Sequence, residues 1–211
     1  SSFVEDSIFL SGSPTAIGQL CQLLEQDPLD LIFGGQFTID QIINKKDIIQ
    51  RLAQNGLTYI FIGLETLEPV AIGGMSKDLG SKKGSWESRF VQVLEILKAH
   101  EISCGCALLF GLGETHTSRK ELLEKLILLK SDMGQPVLLS ANWAVRHPLK
   151  NDDENDREDY LRRGTPEGEL LECFRSIGEA YLEYPLSNVS PPPTVEVLEI
   201  IHLLTRFEVA G

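Results

Sequence analysis

Short apolar runs alternate with stretches in which apolar residues recur every three or four positions, and the alternation persists from residue 2 to about residue 140. The runs read as strands at 2–9, 29–33 (ending at Gly34-Gly35), 58–62, 102–110 and 137–140. The periodic stretches read as helices. Residues 15–24 follow Ser13-Pro14, which puts a proline at the first helical position. Residues 46–55 turn Ile48, Ile49, Leu52 and Ala53 to one side and stop at Gly56, which suits the left-handed position after a helix. Ser85 is placed to cap a helix with Trp86 in its first turn and Val91, Val93, Leu94 and Leu97 inward. Residues 118–130 bury Leu122, Leu123, Leu126, Ile127 and Leu129. Two more helices are expected at 167–183 and 194–207, split by Pro191-Pro192-Pro193, a rigid spacer.

Repeated strand–helix units of this length specify parallel strands joined by right-handed crossovers. A doubly wound sheet and a barrel both satisfy that pattern. Several strands end in polar or glycine-rich segments, as if all served one mouth: Glu5-Asp6, Gly34-Gly35-Gln36, Gly63-Leu64-Glu65, Gly111 to Glu114, and Asn142. This favours a barrel, although five strands are fewer than a closed eight-stranded barrel needs. The expected organisation is an α/β core over residues 1–150 and a mostly helical C-terminal extension over 151–211.

A chain of 211 residues is long enough to bury about 70% of its unfolded surface. No apolar run is long enough to span a bilayer, and no signal peptide is seen, so membrane partners are not expected. The net charge of −12 argues against a nucleic-acid backbone as partner. Part of that charge lies in residues 151–159, a run that reads as a solvated loop. Cys21, Cys104, Cys106 and Cys173 form no C-x-x-C pair and read as reduced thiols of a cytoplasmic protein. Cys104 and Cys106 share one strand face about 6.6 Å apart, and buried thiols fit them better than metal ligands. His116 reads as a solvent-facing loop histidine with a mouth-facing acid or base as the alternative, and His147 as structural.

The run from Ala107 to Glu114 (ALLFGLGE) carries the sharpest signal. An apolar strand that stops at two glycines and a carboxylate is how a buried parallel strand opens into a ligand-binding loop. The run 59–66 (YIFIGLET) ends in a similar way. A solvent-facing loop carboxylate is the plain reading of each glutamate by itself, and two at equivalent strand ends favour a ligand role.

Together these two runs resemble the radical S-adenosylmethionine (radical SAM) enzymes, which share a partial six-stranded βα barrel whose fifth strand ends in GxIxGxxE. Ala107, Leu109, Gly111 and Glu114 fall on the marked positions, with Ala in place of Gly and Leu in place of Ile. The resemblance covers residues 1–150 as strands two to six. It implies that Leu109 packs on adenine, that Gly111 lets backbone approach the ligand, and that Asn142 lies near adenine at the sixth-strand end. It implies a polar contact to the ribose or methionine from Glu65, a hold on the methionine amino group from Glu5 and Asp6, and a carboxylate contact from Arg89 or Lys77. The family's Cys-x-x-x-Cys-x-x-Cys loop is not among these 211 residues, and clusters need thiolates at defined spacing. A segment preceding Ser1, or a partner chain, is expected to carry it.

The resemblance implies reductive cleavage of S-adenosylmethionine to a 5′-deoxyadenosyl radical, for chemistry on a small-molecule substrate. It implies a 4Fe–4S cluster on that other segment and an electron donor such as flavodoxin or ferredoxin. Residues 142–149, 178–181 and 184–186 resemble a branch whose longer members carry a cobalamin-binding domain, which implies cobalamin and radical C-methylation. No catalytic residue or metal ligand is assigned within the chain. Two other readings stand beside this one. A barrel without a cluster would act as a binding or scaffold subunit. An unrelated barrel lyase or aldolase would want a lysine or metal ligands at strand ends, and no lysine lies in the expected strands.

Overall fold

The computed structural model describes residues 2–4, 10, 12–27, 31–65, 86–110, 114–143 and 192–210. Within them five parallel strands lie side by side in chain order: β1 (Ser2–Val4), β2 (Phe33–Phe37), β3 (Leu57–Glu65), β4 (Ser103–Phe110) and β5 (Leu138–Trp143). The connecting helices are α1 (Pro14–Gln26), α2 (Ile39–Asn44), α3 (Lys46–Gln54), α4 (Trp86–Ala99) and α5 (His116–Met133). A last helix, α6 (Thr194–Val209), packs on α5.

The strand order decides between the two architectures the sequence allows. A doubly wound sheet reverses its order so that helices cover both faces. Here the order is β1-β2-β3-β4-β5 without reversal, and right-handed crossovers then place every connecting helix on the same face. The opposite face is the inside of an open, partial barrel.

Side-chain alternation agrees with this. On the helix side Phe33, Phe37, Ile60, Ile62, Cys104, Cys106, Leu108 and Phe110 are buried, in one core with Ile49 and Leu52 of α3, Phe90, Val93, Leu94 and Leu97 of α4, and Leu122, Leu123 and Leu126 of α5. On the inner side Gln36, Tyr59, Phe61, Gly63, Ala107, Leu109, Ser140 and Asn142 are only half-buried. The residues of β3 are therefore fully enclosed on one face only. Gly105 has a steric reason. A Cβ there would lie 2.0 Å from the Tyr59 hydroxyl and 3.0 Å from the Phe61 ring.

Two further boundaries differ from the sequence reading. The second strand runs through Gly34-Gly35 to Phe37 instead of stopping at them. A Cβ on Gly34 would meet Tyr59 backbone and ring and the Phe3 ring at 3.0–3.1 Å, so this glycine serves packing within a strand. Helix α2, unexpected from periodicity, is set by a capping box: the Gln41 amide donates to Thr38 Oγ1 (3.2 Å) and the Thr38 amide to Gln41 Oε1 (3.0 Å). The expected strand end at 5–9 and the helix at 167–183 lie outside the described residues.

Gly56 and Gly134 both hold positive φ, +102° and +73°, but only Gly56 is crowded. A Cβ there would stand 2.3 Å from the Leu31 carbonyl oxygen, whereas none lies within 4 Å of one on Gly134. Gly56→Ala is expected to lower stability by more than about 1 kcal/mol, from φ strain and a backbone clash together. Gly134→Ala has only the φ term to bear. Urea midpoints of the two variants check the ranking, and equal losses would contradict the crowding argument.

Candidate functional site

The C-terminal ends of the strands bring the sequence candidates to one rim. β4 and β5 pair in parallel with Ala107 beside Ser140 and Leu109 beside Asn142, and β3 sets Gly63 beside Ala107. Parallel partners point the same way, so Gly63, Ala107 and Ser140 form a row of small residues across the inner face, with Leu109 and Asn142 one step nearer the rim. The Asn142 side-chain amide donates to Ser140 Oγ at 3.2 Å. Deeper in, Tyr59 lies over Gly105 with its ring 6.3 Å from that of Phe3. Burial holds its phenol above the ordinary value, with smaller contributions from Cys104 and Cys106.

Arg89 lies in the first turn of α4, and Asp40 in the first turn of α2. Both helices leave from strand C-termini, so the Arg89 Nη2–Asp40 Oδ1 ion pair ties the two helix starts together on the mouth side. The guanidinium is buried, yet its Nη1 has no hydrogen-bond partner among the described residues. An unsatisfied buried donor costs about 1–3 kcal/mol or more when charged, so such a group marks a place where an acceptor belongs.

Glu114, at the end of the Gly-Leu-Gly-Glu run, is buried with its side chain 2% exposed. Arg119, one turn into α5, donates from Nε to Glu114 Oε1 (2.6 Å) and from Nη2 to the Glu114 carbonyl (3.3 Å). Thr115 caps the helix by accepting from the Ser118 amide. The glutamate thus fastens the loop end to the start of α5. Beside it His116 is not in a loop: it is the first helical residue, and its Nε2 lies 3.1 Å from Glu199 of α6. The sequence signal for this was Thr115 followed by Ser118, a capping pattern one turn before the expected start.

α6 meets this cluster along its N-terminal half. Glu196 Oε2 lies 3.4 Å from Arg119 Nη1 and 3.6 Å from His116 Nδ1, and Glu199 Oε2 accepts from Lys120 Nζ at 2.7 Å. At the other end Lys130 Nζ donates to the Phe207 carbonyl (2.8 Å). Between them Val197, Ile200, Leu203 and Phe207 are buried. The pairs run start to start and end to end, so α6 lies parallel to α5.

Of the remaining candidates, Glu5, Asp6 and Gly111 lie outside the described residues, as do Lys77 and His147. Glu65 ends β3 beside Leu108 after a register shift. Cys104 and Cys106 are fully buried with sulfurs 3.9 Å apart, and burial pushes the Cys106 thiol well up. They pack as hydrophobes. Among the described residues no group of three or more His, Cys, Asp or Glu is arranged to hold a metal ion, and no helix is long and apolar enough to cross a membrane.

No protein-family model and no curated protein matches the chain. In solved structures it is similar to the radical S-adenosylmethionine methyltransferase TsrM from Kitasatospora setae, determined with cobalamin and a 4Fe–4S cluster bound. The two share 15% identity over 69% of this chain and 28% of that one, with a TM-score of 0.53. A second structure, the cobalamin-dependent S-adenosylmethionine radical enzyme OxsB with aqua-cobalamin and S-adenosylmethionine bound, aligns with 99% of this chain and 28% of its own at 16% identity and a TM-score of 0.48. The chain spans little more than a quarter of the length of either. The likeness to TsrM is one of fold: the parallel sheet and its helices have the partial-barrel architecture of radical SAM enzymes.

Two outcomes follow from the ion pairs. Glu114→Ala, which removes the shortest contact of the buried Arg119 and leaves those to Glu196 and to the backbone carbonyl of residue 114, is expected to cost about 1–3 kcal/mol, whereas Glu114→Leu with Arg119→Met recovers most of it; urea denaturation separates the two. The second concerns pH. The Lys120 ammonium and His116 hold Glu199 below its ordinary 4.5, and Glu199 holds Lys120 above 10.5. A lowered carboxylate contributes above 4.5 and loses that contribution as pH falls through its folded value, and a raised lysine contributes below 10.5 and loses it as pH rises. The stability difference between the parent chain and Glu199→Gln is therefore expected to hold through neutral pH and to shrink in acid below 4.5.

Proposed function

We propose that this chain is the strand-two-to-six part of a radical SAM enzyme core, and that its inner face and rim hold S-adenosylmethionine. The observation that carries the reading is the placement of the GxIxGxxE-like run. Its strand residues Ala107 and Leu109 lie on the open inner face, beside Ser140 and Asn142. The partial-barrel fold shared with TsrM supports it.

The residues fit S-adenosylmethionine. The row Gly63, Ala107 and Ser140 has little side-chain bulk, so a flat ligand can approach the backbone. Leu109 offers an apolar surface to adenine and Asn142 a hydrogen-bonding edge. Arg89 Nη1 is a buried charged donor lacking an acceptor among the described residues, and a carboxylate such as that of the methionine moiety satisfies it. When bound, S-adenosylmethionine supplies the adenosyl group and the sulfonium whose reductive cleavage yields a radical. This chain's residues bind and orient it and keep water from the inner face.

The described residues do not fit a 4Fe–4S cluster. Cys21, Cys104 and Cys106 are all buried, and no three ligands converge. We place the cluster on another segment or a partner chain, which an electron donor would reduce. Cobalamin and C-methylation of a small-molecule substrate are the finer version of the proposal, supported by the sequence resemblance of residues 142–149, 178–181 and 184–186. Free thiols 3.9 Å apart at Cys104 and Cys106 suit a reducing cytoplasm. None of the described strands contains a lysine, which weighs against an aldolase-type barrel.

The test is anaerobic reconstitution of the longest protein that contains this chain. About four iron per chain, and conversion of S-adenosylmethionine to methionine and 5′-deoxyadenosine under reduction, are expected. Arg89→Ala is expected to weaken S-adenosylmethionine binding about tenfold or more with the iron content unchanged. Protein that binds no iron and cleaves no S-adenosylmethionine would overturn the proposal and leave a binding or scaffold subunit as the better reading.

A further inference from the structure

We infer that Glu196, on the last helix, is a positioning residue for the loop that ends at Glu114, acting through Arg119. The inference rests on the reading of that loop as part of the S-adenosylmethionine site. It adds that the last helix sets the position of Glu114, the residue at the end of the Gly-Leu-Gly-Glu run.

The argument starts from the fork of Arg119. A guanidinium presents its donors in a rigid plane, and here three of them are used at once. Nε holds the Glu114 carboxylate at 2.6 Å, Nη2 the Glu114 carbonyl at 3.3 Å, and Nη1 faces Glu196 at 3.4 Å. Glu114 is thereby gripped by side chain and backbone, and the plane of the grip is fixed from α6. The arginine side chain is 7% exposed and the Glu114 side chain 2%, whereas Glu196 stands at 29%. The part of the relay that touches the loop is dry, and the part that orients it comes from a separate element far along the chain.

Glu199 provides the contrast within the same helix. It engages Lys120 at 2.7 Å and His116 at 3.1 Å, whereas Glu196 lies 3.6 Å from His116 and 3.4 Å from Arg119. Both carboxylates dock α6 to α5, but only Glu196 reaches Arg119. The hydrophobic stripe Val197, Ile200, Leu203 and Phe207 with Lys130 at the far end secures the helix in either case. Loss of one charge therefore leaves α6 attached, which makes the two roles separable.

The experiment compares Glu196→Gln and Glu199→Gln with the parent in the longest protein containing this chain. It measures amide hydrogen exchange across residues 110–118, thermal midpoint, and S-adenosylmethionine affinity by calorimetry. Glu196→Gln is expected to speed exchange in 110–118 and to weaken S-adenosylmethionine binding about fivefold or more, at a thermal midpoint close to that of Glu199→Gln. Glu199→Gln is expected to leave exchange in 110–118 at the parent rate. Arg119→Lys, which cannot keep three contacts, is expected to loosen the same residues. Parent-like exchange in Glu196→Gln, or equal loosening in both glutamine variants, would overturn the inference. If the parent protein binds no S-adenosylmethionine, the proposed function fails while the exchange comparison still decides whether Glu196 positions the loop.

Discussion

Handedness is the constraint from which the rest of this structure follows. Each strand–helix–strand unit closes only in the right-handed sense. Because the strands never reverse order, each unit adds its helix to the same side as the last. One face of the sheet is then sealed by α1 to α5 with fully buried Ile60, Ile62, Cys104, Cys106 and Phe110, and the other is left to half-buried Gln36, Tyr59, Phe61, Leu109 and Asn142. The strand C-termini form the rim of that face, and the proposed function seats its ligand there. The position of the candidate site is a consequence of chain order and chirality before any particular side chain is considered.

The Glu114–Arg119 pair shows why a buried charge can sit in that rim. A buried ion pair is a poor source of stability, because desolvation offsets much of the Coulomb gain. What it supplies is direction: one rigid guanidinium makes two contacts to Glu114 and a third to Glu196 of α6, and so specifies where Glu114 lies. The surrounding Lys120–Glu199 pair is exposed and contributes mainly to the attachment of α6. The cluster thus divides into a dry, orienting part and a wet, docking part within one turn of helix.

Much of the barrel was legible in the sequence because its signals are local. Ser13-Pro14, the α3 stripe with Gly56, and the runs at 59–66 and 107–114 each carry their own periodicity or cap. The misplaced pieces are those in which a residue's usual meaning was overruled by a neighbour distant in sequence. Gly34 looked like the end of a strand, but it lies within one because Tyr59 and Phe3 fill the space its side chain would take. α2 has only six residues, too few for a helical stripe, and Thr38 with Gln41 was the only sign of it. His116 read as a loop residue because helix-start rules place no weight on histidine at the first position. Its partner, Glu199, is 83 residues away. The same distance hid Arg119 and Glu196, which no motif joins.

The cysteines bear on how the chemistry is divided. Cys104 and Cys106 lie on the helix side of β4, the opposite face from Ala107 and Leu109, because successive strand residues alternate. Burial also holds the Cys106 thiol well above its ordinary value, and the thiolate is the reactive form. The strand that carries the ligand-loop motif therefore keeps its thiols turned away from the ligand. Arg89 is paired with Asp40 at the start of α2, and Glu114 with Arg119 at the start of α5, so each of these charges is anchored to a helix start and none to the thiols of β4.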